Sequence, residues 1–272
     1  MVVFPNAKIN LGLNIIEKRA DGFHNIETVF LPIKICDILE VISTKDEMIF
    51  SSTGLAIDGN VENNLCLKAY YLLKKEFGLP PIKIHLHKVI PMGAGLGGGS
   101  ANAAFVLNLL NNKFQLNLTQ KQLLNYALQL GSDCPFFILN KPAFASSRGE
   151  ELQPINLNLT AYKILIINPK IHISTAWAFN NITPQKPIQS IKSSIQLPIE
   201  DWKHNLTNAF EIPVFNCYPS IQKIKEILYI NGAVYASLTG SGSTVYGIFK
   251  KEEIPINIEF NENYFVQWVD VL

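Results

Sequence analysis

Five of the seven residues from Gly93 to Gly99 are glycine, and the run passes straight into Ser100-Ala101-Asn102-Ala103-Ala104, an alanine-rich helical pattern. A backbone with so few Cβ atoms has little packing surface, but its successive N–H groups can converge on one oxyanion. A helix starting at Ser100 adds unsatisfied first-turn N–H groups and the positive end of its dipole to the same point. The stretch from Pro91 to Ala101 therefore predicts an anion-binding loop, and phosphate is the ligand such a backbone favours. A flexible linker would not lead directly into a regular apolar helix face.

Three familiar phosphate patterns fail on other residues. Walker A needs a lysine before the Ser/Thr, and Gly99 occupies that position. Gly93, Gly95 and Gly98 match G-x-G-x-x-G, but a dinucleotide fold also wants an acidic residue about 20 residues on, where Asn112 to Thr119 offers none. A protein-kinase loop would come with H-R-D and D-F-G segments, which are missing from the sequence.

Composition narrows the partners. A net charge of +1 with 17% charged residues gives no basic field for nucleic acid, so an acidic ligand must be held by a local site. Apolar runs are interrupted well before the roughly 20 residues of a membrane span, and the first residues lack a signal pattern. The expectation is a cytoplasmic protein without a membrane or nucleic-acid partner. Cys36, Cys66, Cys134 and Cys217 are widely spaced without a C-x-x-C pair, and His85 and His87 share one strand face without a third ligand nearby. Neither disulfides nor a metal site is expected, and the cysteines read as reduced, mostly buried thiols.

Along the chain, Ala7, Ile9, Leu11, Leu13 and Ile15 alternate as in a strand, which puts Lys8, Asn10, Gly12 and Asn14 on its other face. Strands are predicted at Ile33 to Ser43, Ile82 to Ile90, Ala143 to Ser147 and Lys163 to Asn168, and two more around Gly240-Ser241-Gly242. Helices are predicted at Leu65 to Phe77, at Gln120 to Leu130 with Thr119 as cap, and at Pro219 to Asn231. The segment from Asn180 to His204, with three prolines, reads as irregular. Strands and helices without regular β-α-β alternation favour an α+β fold. A polar shift at Ile155 to Thr160 sets the expected boundary between a nucleotide-binding domain at 1–158 and a second domain at 159–272. Asp133, in Gly131-Ser132-Asp133-Cys134-Pro135, is a carboxylate in a tight, apolar-flanked turn, suited to accept a hydroxyl proton.

The pattern P-x-G-x-G-L-G-G-G-S-x-N-A-A resembles the nucleotide loop of the GHMP family of small-molecule kinases. Pro5-Asn6-Ala7-Lys8-Ile9-Asn10-Leu11 and Leu238-Thr239-Gly240-Ser241-Gly242-Ser243-Thr244-Val245-Tyr246 look like that family's first and third motifs, in the expected order. The resemblance implies a two-domain GHMP kinase fold with ligands in the cleft between domains, ATP as phosphoryl donor and Mg²⁺ with it. It places Pro91, Met92, Gly93, Ala94, Gly95, Leu96, Gly97, Gly98, Gly99, Ser100 and Ala101 on the phosphates, and Asn64 and Lys88 near the base and ribose. Lys8 and Asp133 become the catalytic pair, the lysine either lowering the hydroxyl pKa or stabilising charge on the transferring group. Asn10, Gly240 and Ser241 are implied on the acceptor side.

Arg19-Ala20-Asp21-Gly22-Phe23-His24-Asn25 is similar to a segment that, in one branch of the family, recognises a cytidine group, which implies a small-molecule substrate of the cytidine diphosphate-linked methylerythritol kind. Phe23 or Phe30, with Phe179, would then sandwich the base, and His24 would bond its edge. Members acting on homoserine or mevalonate, or a catalytically silent sensor, are the rival readings. Two departures stand out: the family segment has Tyr where this chain has Phe23, and a second Ser where it has Ala101.

Overall fold

The computed structural model describes residues 1–57, 59–255 and 257–272. In chain order the first half runs β1 (Val2–Val3), β2 (Asn6–Lys18), β3 (His24–Cys36), β4 (Ile38–Ser43), β5 (Ile49–Gly54), α1 (Leu65–Phe77), β6 (Ile82–Lys88), α2 (Gly98–Lys113), α3 (Gln120–Leu130) and α4 (Cys134–Leu139). The second half runs β7 (Ala143–Ser146), β8 (Glu151–Pro154), β9 (Tyr162–Asn168), α5 (Thr175–Asn180), α6 (Ile191–Ser194), α7 (Trp202–Asn205), α8 (Glu211–Cys217), α9 (Pro219–Ile230), β10 (Tyr235–Leu238), β11 (Val245–Lys250) and β12 (Phe265–Val269). The architecture is α+β. Among the described residues no helix is long and apolar enough to cross a membrane.

The chain divides into two compact units, one of residues 1–7, 35–92 and 97–141, the other of 8–34, 93–96 and 142–272. This interleaved division differs from the single boundary expected at 158–159. The reason lies in β2 and β3, a long pair whose second strand continues the sheet into β7 through Thr28 opposite Ala145 and Phe30 opposite Ala143. Strand pairing thus carries 8–34 into the unit that also holds the C-terminal sheet.

In the first unit the sheet has the order β1-β4-β6-β5, with β5 and β6 parallel. Its inner face, including Leu39, Val41, Ile82, Ile84 and Leu86, packs with Leu73 of α1 and Val106, Leu107 and Leu110 of α2. α1 stops where Gly78 adopts φ +62, a left-handed position that glycine takes at least cost. α3 starts on a full capping box, Thr119 Oγ1 accepting from Gln122 N while Gln122 Oε1 accepts from Thr119 N. In the second unit the sheet β10-β11-β9-β12 is antiparallel throughout, and Ile221, Ile224 and Leu228 of α9 share a core with Leu165, Ala236 and Phe249.

Three local expectations change. The strand expected over 33–43 is broken at Asp37, which is wholly buried. α2 begins at Gly98 rather than Ser100, because Gly97 at φ +70 already serves as its N-cap. The 180–204 segment holds the short helix α6 between Pro187 and Pro198 and the start of α7 after Pro198, Ser190 capping the first by accepting from Lys192 N. Of the thiols, Cys66 and Cys134 are buried, Cys36 is half-buried and Cys217 is exposed.

Candidate active site

The glycine loop is held differently at its two ends. Gly93, Gly95 and Gly97, at φ +62, +79 and +70, alternate with Ala94 and Leu96. Alternating left-handed positions make the concave run of N–H groups that takes an anion. The middle of the loop lies backbone to backbone on the turn after β10: a Cβ on Gly95 would fall 2.0 Å from Thr239 O, and one on Gly242 would fall 2.4 Å from the Ala94 carbonyl carbon. Downstream, α2 has no side-chain cap at Gly97, so its first-turn N–H groups are left for another acceptor.

The turn itself is pinned from below. Asn208 Nδ2 donates to Leu238 O and Gly240 O, both at 2.9 Å. Thr239 Oγ1 accepts from Asn10 N at 3.0 Å, and its single proton lies between Gly95 O at 3.2 Å and Asn10 Oδ1 at 3.3 Å. Gly240, at φ +59, approaches the Gly95 backbone, and Ser241 Oγ lies 3.3 Å from Thr175 Oγ1.

Lys8 sits on β2 with only 3% of its surface exposed. Its Nζ donates to Asn10 Oδ1 at 2.6 Å and lies 5.0 Å from the centre of the Phe30 ring, and its backbone N donates to Leu96 O at 3.0 Å. A buried ammonium held by a carbonyl oxygen and an aromatic face keeps one position and resists hydration. The strand alternation that placed Lys8 and Asn10 on one face is correct, but both faces of β2 are buried from Asn6 to Leu13.

Two expected substrate contacts are corrected by this arrangement. Phe30, at 1% exposure, has no face for a base and instead supports Lys8. Asn10, at 2%, spends its amide on Lys8, Thr239 and Thr28, so it acts by placing the lysine. Thr28 Oγ1 completes the set by donating to Gly12 O at 2.6 Å.

Asp133 precedes α4, and its carboxylate does not cap that helix. The residue is half-buried, on a short helix packed against α2, where Ser100 hydrogen-bonds the Cys134 thiol. Burial pushes that thiol up to about 12, so Cys134 stays protonated and serves as packing.

A cavity of about 240 Å³ lies wholly within the first unit, lined by Phe50, Ile57, Val61, Leu65, Leu86 and Met92 with Asn63, Asn64, Lys88, Gly99 and Asn102 as its polar points. Apolar walls with a few fixed polar groups suit a planar heterocycle. Asn64 and Lys88 both line it, and Lys88 is already committed to Asp37 and is 1% exposed. Burial lowers the pKa of its ammonium, against the opposing pull of Asp37. Ala101 is a third correction: its side chain is fully buried and its N–H donates to Gly97 O, which leaves nothing for a phosphate.

The cytidine-like segment forms a turn in which Arg19 pairs with Asp21 and donates to Asn25 Oδ1 and Ser147 Oγ. Phe23 is 48% exposed, with the Arg148 guanidinium 4.6 Å from the ring centre. His24 stacks on Phe179 at 4.7 Å and 25°, and Phe179 meets Phe210 edge-on. Among the described residues no group of three His, Cys, Asp or Glu side chains is placed to hold a metal. His85 and His87 instead bond Ser51 and Thr53.

Sequence reasoning passed over Asp37, Thr28, Asn102, Arg148, Thr239 and Asn208. Asp37 carried a signal, an acid between Cys36 and Ile38 on an otherwise apolar stretch; the role of Asn208 carried none, since the carbonyls its Nδ2 holds are about 30 residues away.

The fold and the loop define a small-molecule kinase class. The model of the GHMP kinases N terminal domain matches residues 64–141 and that of the GHMP kinases C terminal domain matches 193–260, and the chain belongs to this family. It is 54% identical over 268 residues to the 4-diphosphocytidyl-2-C-methyl-D-erythritol kinase of Bacteroides thetaiotaomicron, covering 97% of this chain and 98% of that protein. The protein of the same name from Bacteroides fragilis is 49% identical over 270 residues, 98% of each chain. A crystal structure of 4-(cytidine 5'-diphospho)-2C-methyl-D-erythritol kinase superposes with a TM-score of 0.80 at 26% identity, covering 99% of both chains.

Proposed function

We propose that this protein transfers the γ-phosphoryl group of ATP to the 2-hydroxyl of 4-diphosphocytidyl-2-C-methyl-D-erythritol, a step of the non-mevalonate route to isoprenoid precursors. The observation that carries this reading is the glycine loop, three alternate left-handed glycines running into an uncapped helix N-terminus, in a chain about half identical to kinases of that name. The adjoining cavity in the first unit takes the nucleotide base, with Asn64 on its wall.

In the reaction the hydroxyl oxygen bonds to the γ-phosphorus, the bond to the β–γ bridging oxygen breaks, and the proton passes to the Asp133 carboxylate. Lys8, fixed by Asn10 and Phe30, supplies a cation for developing charge. Mg²⁺ would accompany ATP, and Ser100, the one hydroxyl residue of the loop, would be the side chain there to hold it. Bound to the triphosphate, Mg²⁺ would neutralise charge on the phosphate oxygens.

On the acceptor side Phe23 offers an open ring face to the cytosine, and Phe179 offers one once His24 turns toward the base edge. The test is ATP consumption by the purified protein with the cytidine-linked substrate and with methylerythritol 4-phosphate, the product identified by ³¹P NMR. ADP release dependent on the cytidine-linked alcohol, with a new phosphate monoester, is expected. Equal turnover of both alcohols, or of neither, overturns the reading.

A further inference from the structure

The two stems of the glycine loop share one buried carboxylate that the chemistry above does not use. Asp37 lies at the break between β3 and β4, with no exposed surface. Its Oδ1 accepts from Val89 N at 2.8 Å and Ile90 N at 2.9 Å, the backbone leaving β6 just upstream of the loop. Its Oδ2 accepts from Asn102 Nδ2 at 2.8 Å, in the second turn of α2 just downstream, and from Lys88 Nζ. Lys88 Nζ also faces Asn102 Oδ1 at 3.4 Å, closing a triangle.

The surrounding backbone leaves no slack. A Cβ on Gly98 would fall 2.8 Å from Lys88 Nζ and 2.9 Å from Ile90 Cγ2, so the first residue of α2 rests directly on the stem that Asp37 holds. A Cβ on Gly54 would fall 2.3 Å from Lys88 O, which accepts from Leu55 N at 2.8 Å. Two glycines therefore give up side chains to let this ion pair stand where it does. An apolar pair would fill the same volume, but it would bring no acceptors for the Val89 and Ile90 N–H groups.

We infer that Asp37 is a positioning residue for nucleotide binding, its carboxylate tying the Val89–Ile90 stem to α2 and thereby setting where the loop N–H groups point. Lys88 is its counter-charge and reaches the nucleotide cavity from a fixed place. The ATP measurement below rests on the kinase reading; the exchange measurement does not.

In Asp37→Asn one oxygen still serves the backbone N–H groups, while an amide faces the Lys88 ammonium and Asn102. For the full-length protein, kcat/KM for ATP should fall on the order of 10²-fold, as expected when a reacting group is displaced by about 1 Å. The KM for the alcohol should stay within about twofold, because its binding groups are untouched. Hydrogen exchange should quicken at 89–101 and not in α9. Asp37→Asn/Lys88→Met, which removes the unpaired buried charge and keeps the backbone acceptor, should regain melting temperature and slow exchange at 89–101. Unchanged ATP kinetics and exchange in folded Asp37→Asn overturn the inference, as does a double variant that regains neither melting temperature nor slow exchange. If wild type consumes no ATP the kinase reading fails, and exchange at 89–101 alone decides whether Asp37 holds the loop.

Discussion

The glycine loop with its anchors and the aromatic turn around Phe23 are built from opposite materials. The loop is fixed by backbone groups, buried charge and missing Cβ atoms: Gly95 on Thr239, Gly98 on Lys88, and Asp37 on two amides. The aromatic turn is fixed by half-buried and exposed side chains meeting one another: Arg19 on Asp21, Arg148 on Phe23, His24 on Phe179. Buried contacts of the first kind leave an uncompensated charge or a clash when one partner is lost, at a cost of about 3–5 kcal/mol for a buried ion pair. Contacts of the second kind, reached by water on at least one side, re-form or hydrate at less cost. A phosphate tail is common to every NTP and suits a rigid mould, whereas a turn that recognises a particular base gains from rings able to close on it.

The largest effect falls on the chemical step. Asp133→Asn should lower turnover by about 10² to 10⁴, the scale of general-base removal, with ATP affinity nearly unchanged. Activity within about threefold of wild type would remove the carboxylate from the proton's path and leave Lys8 as the main activator.

The contrast in materials is tested next by two left-handed glycines. Gly95 and Gly22 have φ +79 and +86, but a Cβ on Gly95 meets Thr239 O at 2.0 Å, while one on Gly22 meets nothing within 4 Å. Gly22→Ala should cost about 1–2 kcal/mol from left-handed strain alone. Gly95→Ala adds a backbone clash and should cost about 3 kcal/mol or more, read by urea unfolding. Equal costs would mean that the loop is not seated on the 239–242 turn.

The same division governs what the sequence made legible. Glycine density, the Thr119 cap and the strand alternation around Lys8 are local signals, and each appears where it was expected. The interleaving of the units was hidden, because it depends on β3 pairing with β7 more than 100 residues later. So was the fate of Phe30 and Asn10: periodicity gives a residue's face, but whether that face meets a ligand or a lysine depends on what the fold lays against it. Arg148, between a left-handed Ser147 at φ +60 and Gly149 at φ +104, is brought to Phe23 by a β7–β8 hairpin that no spacing in the first hundred residues announces.

On the aromatic side the effects are smaller and confined to one substrate. Stacking a base on an aromatic ring contributes about 1–3 kcal/mol, so Phe179→Ala should weaken cytidine-linked substrate binding by roughly 5- to 150-fold and leave ATP affinity alone. Phe179→Tyr should keep most of it, since a π-face is retained. Calorimetry with the intact substrate and with methylerythritol 4-phosphate checks both, and equal affinity of wild type for the two ligands would remove the cytidine clamp.

The smallest effect is a titration. Burial, with a lesser contribution from Lys18, holds the pKa of His24 below its ordinary 6.5. Between that lowered value and 6.5 the unfolded chain binds more protons at this site than the folded one, so the His24 contribution to stability rises with pH across that window and is constant above it. Phe179 covers one face of the imidazole. Removing the ring in Phe179→Ala admits water to that face and should move the His24 pKa back toward 6.5, narrowing the window. An NMR titration of the Cε1 proton, assigned by its loss in His24→Gln, follows this in both proteins. A wild-type His24 that titrates at 6.5 or above would mean that water already reaches both faces of the ring and that the stack is not maintained in solution. A lowered value unmoved by Phe179→Ala would assign the desolvation to the backbone around the turn, and the aromatic side would then be as rigidly built as the glycine loop.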